Sequence, residues 1–449
     1  MTDRTNHADR RSPWMWIPTL YIAEGLPYFA VNTLAVVMYT RMGVGLTEMA
    51  FFTGWLYLPW VIKPFWSPFV DIFGTRRNWV IAMQFCIGVS MALVALCLPL
   101  PFFFASTLSA FWLMAFFSAT HDIAADGYYM LALTPKGQAA YVGLRNTFYR
   151  IASLIGQGGM LWLAGEMEER TDGNIPYAWS VTFVSLSVVF LAISVYHTVT
   201  MPRPRSDRVT RPDGTSEILR EFGNTFATFF GKRHIVTAIA FMLLYRLAEA
   251  LMLKVSGPFL LAPLDEGGLG LSTKAVGIAT GTTGVAALLA GGIIGGICIA
   301  RRGLRYWLWP MAMAITLPGL VYCYMAMAQP KDPIIINACI GFEQLGYGFG
   351  FTAFMMYLIY FCDGEYKTSH YAFCTAFMAL GMMLPGMAAG WIHEQLSQLH
   401  IFGDQAQGYI NYFWFVMLCS VSTYAVCAMV RINRTAFTGN GHKNTDKRD

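Results

Sequence analysis

The sequence predicts an all-α integral membrane protein with twelve transmembrane helices in two six-helix pseudo-repeat bundles. Three observations predict it: an apolar composition, apolar stretches of bilayer length recurring along the whole chain, and a weak internal repeat. Hydrophobic residues make up 56% of the 449 and charged residues only 13%, with a mean hydropathy of +0.47. No soluble chain of this size needs so much apolar surface. Stretches near the ~20 residues that cross a bilayer occur at 14–40, 46–70, 78–100, 104–133, 138–165, 177–200, 234–262, 272–300, 304–328, 333–361, 367–392 and 408–430.

The segments group into domains. A tail at 1–13 precedes an N-terminal bundle at 14–200, and a C-terminal bundle at 234–431 is followed by a tail at 432–449. Between the bundles, 201–233 begins MPRPRSDRVTRPDGTSE and reads as a linker, and its Ile218–Phe230 stretch has the apolar spacing of a helix lying on the membrane surface. Met15 to Tyr39 is too long for a signal-peptide core and no small-residue cleavage site follows it, so it reads as a retained helix. With the N-terminus inside, the cytoplasmic segments collect 22 of the 31 Lys and Arg, against Arg41, Arg170, Lys274 and Lys331 on the other side, which puts both termini in the cytoplasm. The net charge of +5 therefore reflects topology and does not point to nucleic acid. The nine cysteines form no C-x-x-C pair and read as small core residues, with no metal site.

The repeat supports the two-bundle reading. AEGLP at 23–27 matches AEALM at 248–252, LTEMAFFTG at 46–54 parallels LSTKAVGIATG at 271–281, and His121-Asp122 corresponds to Glu343-Gln344. Repeated halves with polar residues at equivalent depth are the mark of a rocking-bundle transporter with a midplane site. Ten ionisable residues lie inside the spans: Glu24, Lys63, Asp122, Asp126, Arg145, Arg150, Arg246, Glu249, Lys254 and Glu343. Each is costly in a bilayer unless paired or facing water, so each marks a solute or ion path by default.

Between the second and third spans, SPFVDIFGTRR at 67–77 sets Asp71, Gly74 and Arg76 in a D-x-x-G-x-R spacing, followed by Arg77. Gly74 suits a tight turn, and Asp71 can sit at a helix end and pair with arginines, a latch between conformations. This loop resembles the cytoplasmic motif of the major facilitator superfamily, although Ile72 and Thr75 stand where that motif carries basic residues. Within that superfamily the chain resembles the AmpG-like muropeptide permeases, through EGLP (24–27), PFWSPFVD (64–71), SATHDIAADGYY (118–129), TFYRIASLIGQGG (147–159), LLYRLAEAL (243–251), GFEQLGYGFG (341–350) and YAFCTAFMALGMMLPGMAAGW (371–391). The resemblance runs from the first to the eleventh span. It implies a multi-pass protein of the bacterial inner membrane. The implied function is a proton-coupled symporter that imports a polar, anionic solute by alternating access, with anhydro-muropeptide the leading substrate. An iron-siderophore, another glycan fragment or an acyl-CoA-like anion are the alternatives. The expected partners are that solute and the lipid bilayer, for a monomer that takes its drive from the proton gradient and uses no cofactor.

The residues suggest a division of labour. Glu24 lies ten positions after Trp14, about 15 Å along a helix and near mid-membrane, where an acid either carries protons or is held by a base. Lys63 is its natural partner by position and could instead receive a solute carboxylate. Asp122 and Asp126 share a helix face, whereas Arg145 and Arg150 are about 140° apart. The expected arrangement pairs Asp126 with Arg145 as structure and leaves Asp122 and Arg150 deeper, facing a cavity. Arg246 and Glu249, three apart, can bridge to each other. Lys254 reads as a snorkelling residue. Glu24, Asp122 and Glu343 are the proton-coupling candidates. Tyr28, Asn32, Lys63, Asn146, Tyr149, Arg150, Tyr245, Arg246, Glu249, Gln344 and Tyr347 are the solute-binding candidates.

Enzyme readings fail on the residues. His393-Glu394 is followed by Gln395, Leu396 and Ser397, without the second His of a zinc protease, and there is neither a Walker A sequence nor a Gly-x-Gly-Asp pair. A drug/proton antiporter is the nearer rival. Against it, IGQGGM at 155–160 lacks the Gly-Pro pair of such antiporters, and the buried cations suit an anion.

Overall fold

The computed structural model describes residues 12–204, 207, 215–363, 367–399 and 408–432. The side chains of 68, 69, 71, 72, 135, 136, 139, 140, 142, 143, 146, 215–219, 221, 222 and 367–369 lie outside the description. The described residues form helices and short connections, with no strand among them. α1 (Ile17–Phe29), a π-helical stretch (Ala30–Leu34) and α2 (Ala35–Arg41) make one rod. Next come α3 (Leu46–Trp55), α4 (Leu58–Ile72), α5 (Arg76–Cys97) and α6 (Phe103–Ala132). α7 (Pro135–Ser153) continues through a second π-helical stretch (Leu154–Met160) into α8 (Leu161–Arg170), before α9 (Ile175–Thr200). α10 (Thr215–Phe230) occupies the linker. α11 (Ile235–Leu244) and α12 (Leu247–Leu261) share a rod, as do α13 (Thr273–Val276), a π-helical stretch (Gly277–Gly284) and α14 (Val285–Arg302). The chain ends with α15 (Leu304–Thr316), α16 (Leu320–Ala328), α17 (Pro333–Phe361), α18 (Lys367–Ser397), α19 (Gly408–Cys419) and α20 (Val421–Met429).

Among the described residues, nine helices combine the length and hydropathy needed to cross a membrane. The segments expected at 46–70, 138–165 and 333–361 are helical but fall outside those nine. A turn at Leu56–Tyr57 divides the first, and polar and glycine residues dilute the other two.

Packing divides the chain into two units, Met1–Met38 with Ile62–Glu221, and Tyr39–Val61 with Phe222–Asp449. The first has a buried cluster of Trp16, Tyr21, Val80, Ile123 and Tyr128. In the second, Phe229, Phe241, Tyr245, Phe354 and Tyr357 form an aromatic core. The amphipathic α10 sends Phe229, fully buried, into that core, stacked on Phe377, while Phe226 and Phe230 stay exposed. Residues 39–61 join the second unit because α3 lies along α18: a Cβ on Gly390 would stand 2.5 Å from the Leu46 carbonyl, and Thr47 donates to Glu394 Oε2 at 2.7 Å. In α14 and α17, Gly291 and Gly348 let the backbones touch, since a Cβ on either would lie 2.1 Å from a carbonyl oxygen of the other helix.

Candidate functional site

In the first unit, five charged side chains from four helices converge. Lys63 of α4 contacts Asp122 of α6, Nζ to Oδ2, at 3.3 Å. One turn on, Asp126 meets Arg145 of α7 at 2.5 Å, and the same Arg145 Nη2 lies 3.9 Å from Glu24 Oε1 on α1. The guanidinium is seated over the Tyr21 ring, 4.7 Å from its centre, with Tyr129 at 5.8 Å. α1 and α7 come this close because Gly25 faces Ala152, where a Cβ would stand 2.7 Å from the alanine Cβ. Glu24 is 8% exposed, and its Oε2 is buried without a hydrogen-bond partner among the described residues. Three carboxyls therefore share two bases.

The Asp126–Arg145 contact is the one expected. Lys63, however, turns to Asp122 and not to Glu24, because α4 and α6 present those two side chains to each other. Arg150 has no ion pair among the described residues. Asn32 sits in the π-helical stretch after α1, where its Nδ2 donates to the Tyr28 carbonyl at 2.9 Å and its Oδ1 is left buried without a partner among the described residues. π-Helical turns of this kind often occur at functional sites. Tyr149 packs against Phe29. The side chains of Asn146 and Asp71 lie outside the described residues.

The second unit has a tighter arrangement. Arg246, at the break between α11 and α12, forks onto Glu249 with Nε to Oε2 at 2.9 Å and Nη2 to Oε1 at 3.3 Å. It also donates to Tyr347 Oη at 2.7 Å and lies 4.7 Å from the Phe351 ring centre. Glu343 is 4% exposed and accepts from its neighbour Gln344 at 2.8 Å, with no base within 4 Å among the described residues. Tyr245, a solute-binding candidate by sequence, is packed in the aromatic core and its hydroxyl donates to the Gly350 carbonyl at 3.0 Å. It serves packing because the α11–α12 break turns it inward beside Phe241 and Phe354.

The loop arginines are also more committed than sequence suggested. Arg76 and Arg77 donate their backbone N–H groups to the two carboxylate oxygens of Asp207, at 2.8 and 3.0 Å, so a linker residue caps the start of α5. Arg77 further donates to the Met201 and Thr198 carbonyls, tying α5 to the end of α9. The Arg76 guanidinium lies flat against Gly127, where any Cβ would overlap it. Gly74 makes its turn without a positive φ, and its missing Cβ leaves room for the Trp79 indole at 3.2 Å.

Sequence reading missed a buried chain of neutral groups. The Gln84 amide donates to His121 Nε2 at 3.0 Å and accepts from His197 Nδ1 at 2.8 Å, and His197 Nε2 accepts from the Thr19 hydroxyl at 2.8 Å. This chain pins α1, α5, α6 and α9 together and fixes the rotation of α6 that turns Asp122 towards Lys63. A histidine beside an aspartate was its only trace in the sequence. A pocket of about 780 Å³ opens between α3 and α18, but no sequence-predicted site residue lines it.

Comparison with known proteins agrees with this architecture. The family model described as Major Facilitator Superfamily matches residues 17–390. The anhydromuropeptide permease of Escherichia coli K12 is 26% identical over 386 residues, covering 84% of this chain and 73% of that protein. A putative transporter, AmpG 4, of Rickettsia conorii is 26% identical over 80% of this chain and 85% of its own length. Among solved structures, the nucleoside transporter NupG superposes with a TM-score of 0.69 at 13% identity, covering 93% of this chain and 99% of that one. A D-xylose-proton symporter gives 0.67 at 12% identity over 92% and 96%. With helices of membrane-spanning length, a family match over most of its length and the same fold, this chain belongs to the Major Facilitator Superfamily.

Proposed function

We propose that this transporter is a proton-coupled symporter that imports a polar, anionic solute by alternating access, and that anhydro-muropeptide is the solute. The observation that carries the coupling is the charge inventory of the first unit: Glu24, Asp122 and Asp126 share Lys63 and Arg145, and Glu24 keeps one buried oxygen without a partner among the described residues. One proton on this group restores neutrality, and its loss leaves a net negative charge in a medium where that is costly. Glu343, buried without a base, is a second proton carrier by the same reasoning. Lys63 and Arg150 in the first unit supply cations for an anionic solute. The likeness to the Escherichia coli anhydromuropeptide permease supports the choice of substrate. The setting is the bacterial inner membrane, with both termini cytoplasmic, a six-helix bundle on either side of the 201–233 linker, and a monomer as the working unit.

The test is uptake of radiolabelled GlcNAc-anhydro-muropeptide into proteoliposomes, with and without an inward proton gradient, for wild type and Glu24→Gln. Uptake stimulated by the gradient in wild type alone supports both substrate and coupling residue. Absence of uptake by folded wild type retires the muropeptide in favour of a siderophore or another anion. Stimulation that survives in Glu24→Gln moves the coupling to Asp122 or Glu343.

A further inference from the structure

Lys254 stands apart among the buried charges. Sequence placed it as a snorkelling side chain, but it is 3% exposed and enclosed where α3, α12 and α18 meet. Its stem rests on Gly386, where a Cβ would come within 3.2 Å of its Cγ and Cε, so the absence of a side chain there makes its berth. Its Nζ donates to Thr53 Oγ1 at 2.9 Å and lies 5.8 Å from the Tyr57 ring centre. No carboxylate lies within 4 Å of it among the described residues. Thr53 in turn donates its own proton to the Met49 carbonyl at 2.7 Å, so towards Lys254 it acts only as an acceptor. An ammonium has three protons to donate, and this one is matched by a single neutral oxygen.

A buried cation answered only by a hydroxyl is destabilised relative to one in an ion pair. A small anion offsets that cost, and the ammonium of a lysine, a compact point charge with three protons to donate, can receive a carboxylate oxygen. We propose that Lys254 is a carboxylate subsite for the transported solute: the ammonium leaves the Thr53 hydroxyl and takes a carboxylate of the solute in its place. The hydroxyl is the placeholder that keeps the amine positioned when the anion is absent. This rests on the reading of the solute as an anion. It places a buried cation for that anion in the second unit, deep in α12.

The experiment follows thermal unfolding of the purified full chain in detergent, titrated with N-acetylmuramic acid, which bears a lactyl carboxylate, and with N-acetylglucosamine, which does not. Wild type is expected to unfold several degrees higher with the acid and to be unmoved by the neutral sugar. Lys254→Met should weaken the apparent affinity for the acid roughly tenfold or more, the loss expected for a hydrogen bond to a charged group, and Lys254→Arg should retain part of it. Thr53→Asp supplies a permanent carboxylate beside the intact lysine. It should raise the starting midpoint and abolish the response, which keeps the test decisive if Lys254→Met folds poorly. A response unchanged in folded Lys254→Met or in Thr53→Asp overturns the subsite, as does wild type that responds to no carboxylate. If the acid binds through Lys254 while liposomes take up no muropeptide, the subsite stands and the muropeptide reading falls. If muropeptide uptake is robust and Lys254→Met transports as wild type, the reverse holds.

Discussion

Glu24 and Glu249 occupy corresponding places in the internal repeat, and the two units treat them differently. Glu249 is held by Arg246 from three residues earlier in its own chain segment, with two hydrogen bonds and a tyrosine completing the fork. The arginine nearest Glu24 comes from α7, stands at 3.9 Å and is already engaged by Asp126. A pair made within one turn stays neutral whatever neighbouring helices do. A group assembled from α1, α4, α6 and α7 depends on how those helices pack. The repeat thus carries one acid paired within its own turn and one whose nearest base comes from another helix.

The largest effect should come from breaking the local pair. Arg246→Met leaves Glu249 buried without its cation and should destabilise the protein by about 3–5 kcal/mol, seen as a lower unfolding midpoint in detergent. Adding Glu249→Leu should recover most of the loss. If the double variant is no better than the single, the pair is not the self-contained unit described here.

Next is Glu24→Gln, expected to reduce uptake under a proton gradient to the level seen without one while leaving the unfolding midpoint near that of wild type. The contrast with Glu249→Gln sharpens the comparison, because that variant should lose stability first. A smaller effect is expected from Gln84→Leu, which strands His121 and His197 in the first unit at a cost of about 1–3 kcal/mol. The smallest is Asp126→Asn. Its pair with Arg145 is partly exposed, so its removal should cost about 1 kcal/mol, and a loss several times larger would mean that the cluster is as rigid as the one around Arg246.

These contrasts mark how far the sequence could be read. Arg246–Glu249 was legible because residues three apart share a helix face wherever the helix lies. Asp126–Arg145 was within reach for a similar reason, since the two residues flank a short connection. Lys63 was misassigned to Glu24 because closeness along the chain says little about which helix faces which. Asp207 was invisible as a helix cap: it lies 130 residues from Arg77 in a linker whose composition suggests only solubility. Tyr245 read as a cavity residue because an aromatic in a polar-looking segment has the same signature whether it faces solute or core.

The sequence by itself determined the membrane class, most of the helical segments and the ionisable residues that lie within them, because hydropathy and helical periodicity are local properties that survive in any packing. Only the tertiary structure decided the partners of those charges. Distances between helices set which carboxyl shares which base, which histidine locks which rotation, and why Lys254, unremarkable in the sequence, ends enclosed with a hydroxyl as its sole hydrogen-bond acceptor among the described residues. Pairing energy falls steeply with separation in a medium of low dielectric, so a shift of a few ångströms, which composition cannot register, separates a structural ion pair from a group free to bind and release.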